Sequence, residues 1–301
     1  MSVRIFWAPH YEHPLPEGHR FPMAKYGLIP QQLLYEGSIT DAHLIEPPPA
    51  DDTVITWTHD PAYVRRLKAL DITHKEERRI GFPVSQGLME REWIITQGTI
   101  LGAEHALQHG CALNVAGGTH HAYTDRGEGF CLLNDQAVTA NYLLRTGRAK
   151  RPLIIDLDVH QGQGTAQIFA HEPRVFTFSM HGADNYPLHK ERSDWDIALP
   201  TGTPDGPYLD QLAAALPQLL DRHRPDFLFY LAGVDPLATD KLGRLALTPQ
   251  GLRTRDHLVL DAAWRAGLPL QISLGGGYSP RLADIVNAHC ETFRLALGVW
   301  G

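Results

Sequence analysis

Four stretches of this chain place carboxylates, imidazoles or a phenol directly after what reads as a buried strand. Leu153-Ile154-Ile155 runs into Asp156-Leu157-Asp158-Val159-His160, and Leu113-Asn114-Val115-Ala116 runs into Gly117-Gly118-Thr119-His120-His121. Leu231-Ala232-Gly233-Val234 leads to Asp235, and Ile272-Ser273-Leu274 to Gly275-Gly276-Gly277-Tyr278. At strand period, residues i, i+2 and i+4 share a face, so Asp156, Asp158 and His160 are expected to point the same way. Buried carboxylates are costly without a partner, and a divalent cation is the simplest compensation. The spacing alone is equally open to a plainer reading, in which Asp156 and Asp158 cap the next helix and His160 is hydrogen-bonded in a loop. His120-His121 fits either a solvated turn or an acid–base pair whose glycines let substrate approach the backbone. Asp235 before Pro236 fits an ordinary turn, and Tyr278 fits either a packing tyrosine or a phenol that donates to a developing oxyanion.

The elements that must position these residues follow from the hydrophobic pattern. Short apolar runs, clearest at Leu153–Leu157, Val175–Met180, Phe227–Ala232 and Leu270–Leu274, alternate with helical-period segments at Asp135–Leu144, Tyr208–Asp221 and Gln250–Ala266. This pattern predicts an α/β fold with a mostly parallel central β-sheet and helices on both faces. Thr248, Pro249 and Gly267 bracket the last helix as N-cap, first-turn proline and C-terminal glycine. In such a sheet all four polar strand ends fall on one edge, where ligands bind. No repeat or Gly/Ser linker divides the chain, so residues 1–301 are read as a single domain. The first ninety residues differ: Pro47-Pro48-Pro49, Glu17–Pro22 and Gly81-Phe82-Pro83 read as long loops that form the rim of the site.

Composition narrows the function classes. The 301 residues carry 27 Lys+Arg against 34 Asp+Glu, a formal net charge of −7, which lacks the footprint of a nonspecific nucleic-acid binder. Cys111, Cys131 and Cys290 are odd in number and far apart, which argues against a disulfide framework and for a reducing, cytoplasmic setting. The N-terminus has no apolar run of signal-peptide length before Pro9-His10, and no uninterrupted apolar run approaches the ~20 residues of a membrane span. Seventeen histidines are a weak pointer to metal or acid–base work. Most of them, including His59, His74, His105, His109, His171, His223 and His257, have surroundings typical of surface or satisfied core residues.

With Gly18-His19-Arg20-Phe21-Pro22, Gly117–Ala122, Gly129–Asp135, Asp156–His160, Ser179-Met180-His181, Ala232–Asp235 and Gly275–Tyr278 in order, the chain resembles the zinc-dependent histone deacetylases of the arginase/deacetylase fold. Asp158-Val159-His160-Gln161-Gly162 and Asp240–Leu245 are most similar to the class IV-like and bacterial branch. The resemblance implies one Zn²⁺ on Asp158, His160 and Asp235, with Fe²⁺ or Co²⁺ as alternatives for so hard a donor set. It also implies His121 as general base and acid, His120 oriented by Asp156, and Tyr278 as oxyanion donor. Gly129, Phe130, Tyr186, Leu242 and Gly276 would line the substrate channel. A K⁺ ion is implied at Asp156, Asp158, His160, Ser179 and Met180, with His181 as an outer contributor. A second such site would use backbone oxygens near Phe169, Glu172, Val175 and Trp195. The implied substrates are acyl-lysine proteins or peptides, or small acylated amines.

Two positions depart from the family pattern. Many relatives have an aspartate where Gln163 stands, and a neutral amide supports imidazolium at His121 less well. Gln161 replaces a second histidine, as in the class IV-like branch. Three rival functions are weighed against this reading. A binuclear ureohydrolase needs aspartates where Gly162 and Gly233 stand. A polyamine deacetylase is expected to carry a rim acid where Leu242 lies. A silent acyl-lysine-binding module would tolerate loss of Tyr278, His121 or a metal ligand, yet all are present.

Overall fold

In the computed structural model, which describes residues 3–301, the apolar runs pair into one sheet in which every strand is parallel to its neighbours. Its strands are β1 (Arg4–Phe6), β2 (Leu44–Ile45), β3 (Cys111–Asn114), β4 (Pro152–Asp156), β5 (Phe176–Gly182), β6 (Trp195–Leu199), β7 (Phe227–Ala232) and β8 (Leu270–Leu274). The spatial order is β2-β1-β3-β8-β7-β4-β5-β6. Strands β8 and β7 thus lie between β3 and β4, so the polar strand ends belong to four adjacent central strands. The helices are α1 (Lys25–Tyr35), α2 (Asp52–Ile55), α3 (Pro61–Lys68), α4 (His74–Ile80), α5 (Gln86–His109), α6 (Asp135–Arg145), α7 (Gln163–Phe169), α8 (Asp205–His223), α9 (Pro249–Arg265) and α10 (Leu282–Trp300).

Strands buried on both faces carry apolar residues at successive positions, and here alternate residues feed two cores. Leu153, Ile155, Leu228 and Tyr230 pack with Ile29 and Leu33 of α1, Leu212 and Leu216 of α8, Val259 of α9 and Phe293 of α10. Ile154, Phe227 and Phe229 face the other way, onto Ala103 and Ala106 of α5, Ala137 and Ala140 of α6, and Phe169 of α7. Small alanines on that side let α5 lie close to the sheet and to α6. Helix α9 starts as its sequence predicts: Thr248 accepts the amide of Gly251, Pro249 takes the first turn, and Gly267 follows the end at φ +63°.

Within the first ninety residues, helices α1 to α4 interrupt the expected loops, which remain at residues 12–24, 46–51 and 81–85. The three cysteines are buried and free. Among the described residues, no helix is long and apolar enough to cross a membrane.

Candidate active site

Strand β4 stops at Asp156, two residues before the first expected ligand, so the shared face of Asp156, Asp158 and His160 does not come from strand period. Turn hydrogen bonds take over. Asp156 Oδ1 accepts the Asp158 amide at 3.1 Å, and Asp158 Oδ1 accepts the His160 amide at 3.0 Å. Helix α7 begins after Gly162 with no side-chain cap, so the two aspartates do not serve it. Asp235, from the loop after β7, accepts the Val159 amide at 2.9 Å and is drawn against the same turn.

Asp158, His160 and Asp235 thereby form a buried triad whose candidate ligand atoms all lie within 4.8 Å of one another. His160 Nδ1 is 2.9 Å from Asp158 Oδ1 and 3.1 Å from Asp235 Oδ2. The second contact lacks hydrogen-bond geometry, so the buried Asp235 Oδ2 accepts no hydrogen bond. Burial and the neighbouring Asp158 push the Asp235 carboxyl up to about 7. Although burial opposes it, Asp158 and Asp235 hold the His160 imidazole up at about 10, so the triad gathers two carboxylates around one site that attracts positive charge, a donor set that fits a divalent cation. Gly233 and Gly276 leave the space: a Cβ on either would strike the Asp158 or Asp235 carboxylate. Likewise a Cβ at Gly162 would meet Asp156 Oδ2, so Gly162 and Gly233 leave no room for the side chains of a second metal site.

The tandem histidines stand over the triad from the loop after β3. His120 Nδ1 is 2.6 Å from Asp156 Oδ2, while His121 Nδ1 is 2.6 Å from Gln163 Oε1. Burial alone would lower His120, but the Asp156 carboxylate outweighs it and holds the imidazole above its ordinary value. His121 has no carboxylate partner; burial, His120 and His160 keep it well below its ordinary value, and so neutral. With Nδ1–H assigned as donor to the Gln163 amide oxygen, the Nε2 lone pair of His121 is left for a proton. The turn that aims the pair is held by Asp135, which accepts the Thr119 amide and hydroxyl at 2.9 and 2.8 Å and the Ser273 hydroxyl at 3.0 Å. Gly118, at φ +67°, lies so close to the Leu274 carbonyl that a side chain cannot fit.

Above these groups lies a cavity of about 490 Å³ lined by His121, Gly129, Phe130, His160, Tyr186, Leu242 and Tyr278. Tyr186 stands edge-on to His121 at 5.1 Å and donates to Glu128 at 2.7 Å. Gly129 has φ +53°, and a Cβ there would lie 2.6 Å from His121 Cδ2. The Tyr278 amide donates to Asp240 Oδ2 at 2.6 Å, while Asp240 Oδ1 accepts the Leu242 and Gly243 amides at 2.8 Å each. One carboxylate therefore fixes both the tyrosine and the Leu242 wall. Burial raises the Tyr278 phenol well above its ordinary value, so it stays protonated and able to donate.

Of the other expected positions, Ser179 lies directly beside Asp156 in the β4–β5 register and meets His181 Nδ1 at 2.9 Å. Met180 is buried next to it. His59 is a satisfied core residue, bonded to the Tyr123 carbonyl and the Asn134 amide at 2.9 Å each.

The roles of three residues are not visible in the sequence. The Asp240 cradle is one. Lys25 is another: fully buried, it donates to the Gly275 carbonyl at 2.9 Å across 250 positions of sequence. The third is Arg255, which is also fully buried and donates to the Gly233 carbonyl at 2.5 Å and the Leu157 carbonyl at 3.3 Å, steadying the backbone on both sides of the triad. A basic residue within a predicted helix gives no sign that it points inward.

The family model described as histone deacetylase domain matches residues 19–293. An uncharacterized protein of Picosynechococcus is 45% identical over 300 residues, covering 100% of both chains. Histone deacetylase 2 of Arabidopsis thaliana is 28% identical, covering 89% of this chain and 72% of its own. A probable deacetylase of Archaeoglobus fulgidus is 28% identical over 91% of this chain and 80% of its own. Among solved structures, an HDAC homolog complexed with SAHA superposes with a TM-score of 0.85 at 24% identity, covering 98% of this chain and 84% of that one.

Proposed function

Because the chain belongs to the histone deacetylase family and is thereby a deacetylase hydrolase, we propose that it is a zinc-dependent amidohydrolase that removes acetyl or longer acyl groups from lysine side chains. The observation that carries the reading is the buried Asp158–His160–Asp235 triad, with an Asp235 oxygen that accepts no hydrogen bond, at the foot of a cavity lined by His121 and Tyr278. Asp158, His160 and Asp235 would hold a divalent ion, which would supply Lewis-acid polarisation of the amide carbonyl and lower the pKa of a water, ~15.7 when free, towards neutrality.

The chain's own groups do the rest. His121 Nε2 accepts the proton of the attacking water and returns it to the departing amine nitrogen. His120, backed by Asp156, stabilises charge that develops beside it. Tyr278 donates a hydrogen bond from its hydroxyl to the carbonyl oxygen as that oxygen becomes anionic. Phe130 and Tyr186 flank the apolar stem of the acyl-lysine and exclude water, and Gly129 leaves room for it. The pairing of Ser179 with Asp156 supports K⁺ behind the triad at Asp156, Asp158, His160, Ser179 and Met180.

Small acylated amines are the alternative substrate class, and a silent acyl-lysine-binding module is the alternative to an enzyme. The test compares kcat/KM for acetyl-lysine peptides, acetylputrescine and acetylspermidine, before and after chelation and with Zn²⁺, Fe²⁺ or Co²⁺ restored. Peptide turnover lost on chelation, regained best with Zn²⁺ and abolished by Tyr278→Phe is expected. Turnover that survives chelation, or full activity of Tyr278→Phe, overturns the mechanism.

A further inference from the structure

The mouth of the substrate cavity carries a charge opposite to that of the molecule. The chain is acidic, with a formal net charge of −7, yet Arg20, Arg78, Arg79 and Arg244 all line the cavity, against Asp184 as the acid in its wall. All four arginines are exposed. Among the described residues, Arg20, Arg78 and Arg244 have no carboxylate within ion-pairing distance, and Arg79 has only a loose contact with Glu128 at 3.8 Å. Asp184 is already engaged by the Thr201 hydroxyl at 2.8 Å and lies beside Lys190.

The arginines are held at the mouth by the architecture of the channel. Arg78 and Arg79 occupy the last turn of α4, whose carbonyls at Arg79 and Ile80 accept the amides of Gly129 and Phe130, the channel wall itself, at 3.1 and 2.6 Å. Arg20 arrives from a different loop and stacks over Phe130, 5.0 Å from the ring centre. The Arg244 amide donates to Asn185 Oδ1 at 3.2 Å, and the Asn185 side chain donates to the Leu242 carbonyl at 2.7 Å. The dipole of α4 accounts for cations in its last turn. It does not account for Arg20 and Arg244, which come from separate loops to the same opening.

Resting on the deacylase reading above, we propose that this arginine rim selects acyl-lysines set in acidic peptide segments, with Asp or Glu side chains beside the acylated lysine engaging Arg20, Arg78, Arg79 and Arg244. Guanidinium forks match carboxylates in shape and charge, whereas the distal ammonium of an acylpolyamine and the flanks of a basic tail meet repulsion. Exposed pairs are individually weak, so the preference is a sum over the rim and is screened by salt.

The test measures kcat/KM for three acetyl-lysine peptides identical except for Asp/Glu, Ala/Gly or Lys/Arg flanks, at low salt and at high salt. Acidic flanks are expected to exceed basic ones by about ten-fold at low salt, with the ratio shrinking towards one as salt rises. The combined variant Arg78→Gln/Arg79→Gln/Arg244→Gln is expected to collapse the ratio, while Arg265→Gln, remote on α9, keeps it. A ratio near one, a preference for basic flanks, or a ratio indifferent to the combined variant overturns the proposal. Anisotropy of the same peptides, fluorescently labelled, on the Tyr278→Phe protein reads the preference without turnover. Neutral and acidic peptides that bind with the predicted order yet are never hydrolysed by the metal-loaded protein refute the deacylase reading and leave the charge selection standing.

Discussion

His59 links the acid sensitivity of the fold to the loop that carries the tandem histidines. Its ring is fully buried; Nδ1 meets the Tyr123 carbonyl and Nε2 accepts the amide of Asn134, the residue that caps α6. A second proton would turn that accepting nitrogen into a donor facing an N–H. Burial pushes the imidazole down to about 4, against the upward pull of the Tyr123 carbonyl. The folded protein therefore refuses a proton that the unfolded chain accepts at about 6.5. Stability is full above that value, falls as pH drops through it, and has lost the whole contribution near pH 4. At about 1.4 kcal/mol per pH unit, the loss is about 2 kcal/mol at pH 5 and about 3 kcal/mol near pH 4. Urea unfolding of the wild type and of His59→Gln at pH 7.5 and 5.0 isolates the effect, because other buried histidines contribute equally to both proteins. The variant is expected to be less stable at pH 7.5 but to lose about 2 kcal/mol less on acidification. Equal losses in the two proteins refute the reasoning.

Gly129→Ala places a methyl group 2.6 Å from His121 in a left-handed backbone, so kcat/KM is expected to fall about a hundred-fold while Tm drops by only a few degrees. Gln163→Asp puts a carboxylate on His121 Nδ1, favours the imidazolium and moves the acidic limb of the pH–kcat/KM profile to higher pH; a stationary limb contradicts the assignment of His121 as base. Arg255→Met leaves Asp256 buried without its cation and is expected to cost about 3 to 5 kcal/mol in urea unfolding, whereas a loss below 1 kcal/mol would show the pair to be dispensable.

The sequence made the sheet and most of its chemistry legible because a parallel strand buried on both faces is a continuous apolar run, and a polar residue at its end interrupts it visibly. The region before β3 was harder to read. Helix α5 buries residues around most of its circumference, from Leu88 and Trp93 to Thr96, Thr99 and His105, so it has no clean apolar stripe to betray a helical period. Strand period alone does not bring Asp156, Asp158 and His160 together: two of them stand beyond the strand, and hydrogen bonds of a turn align them. Lys25 and Arg255 stayed hidden because their partners are backbone carbonyls far away in sequence, which no local pattern encodes.

In the proposed reaction Asp158, His160 and Asp235 would hold the metal, and His121 and Tyr278 above it would act on the amide of an acyl-lysine. The most direct measurement is kcat/KM across a series of lysine peptides from acetyl to long fatty acyl, on protein stripped of metal and then reloaded with one Zn²⁺ per chain. Hydrolysis that appears only on reloading, saturates at one ion and is absent in Asp235→Asn and Tyr278→Phe is the predicted result. Stripped protein that hydrolyses the peptides as well as the reloaded protein, or reloaded protein that hydrolyses none of the series, would contradict it.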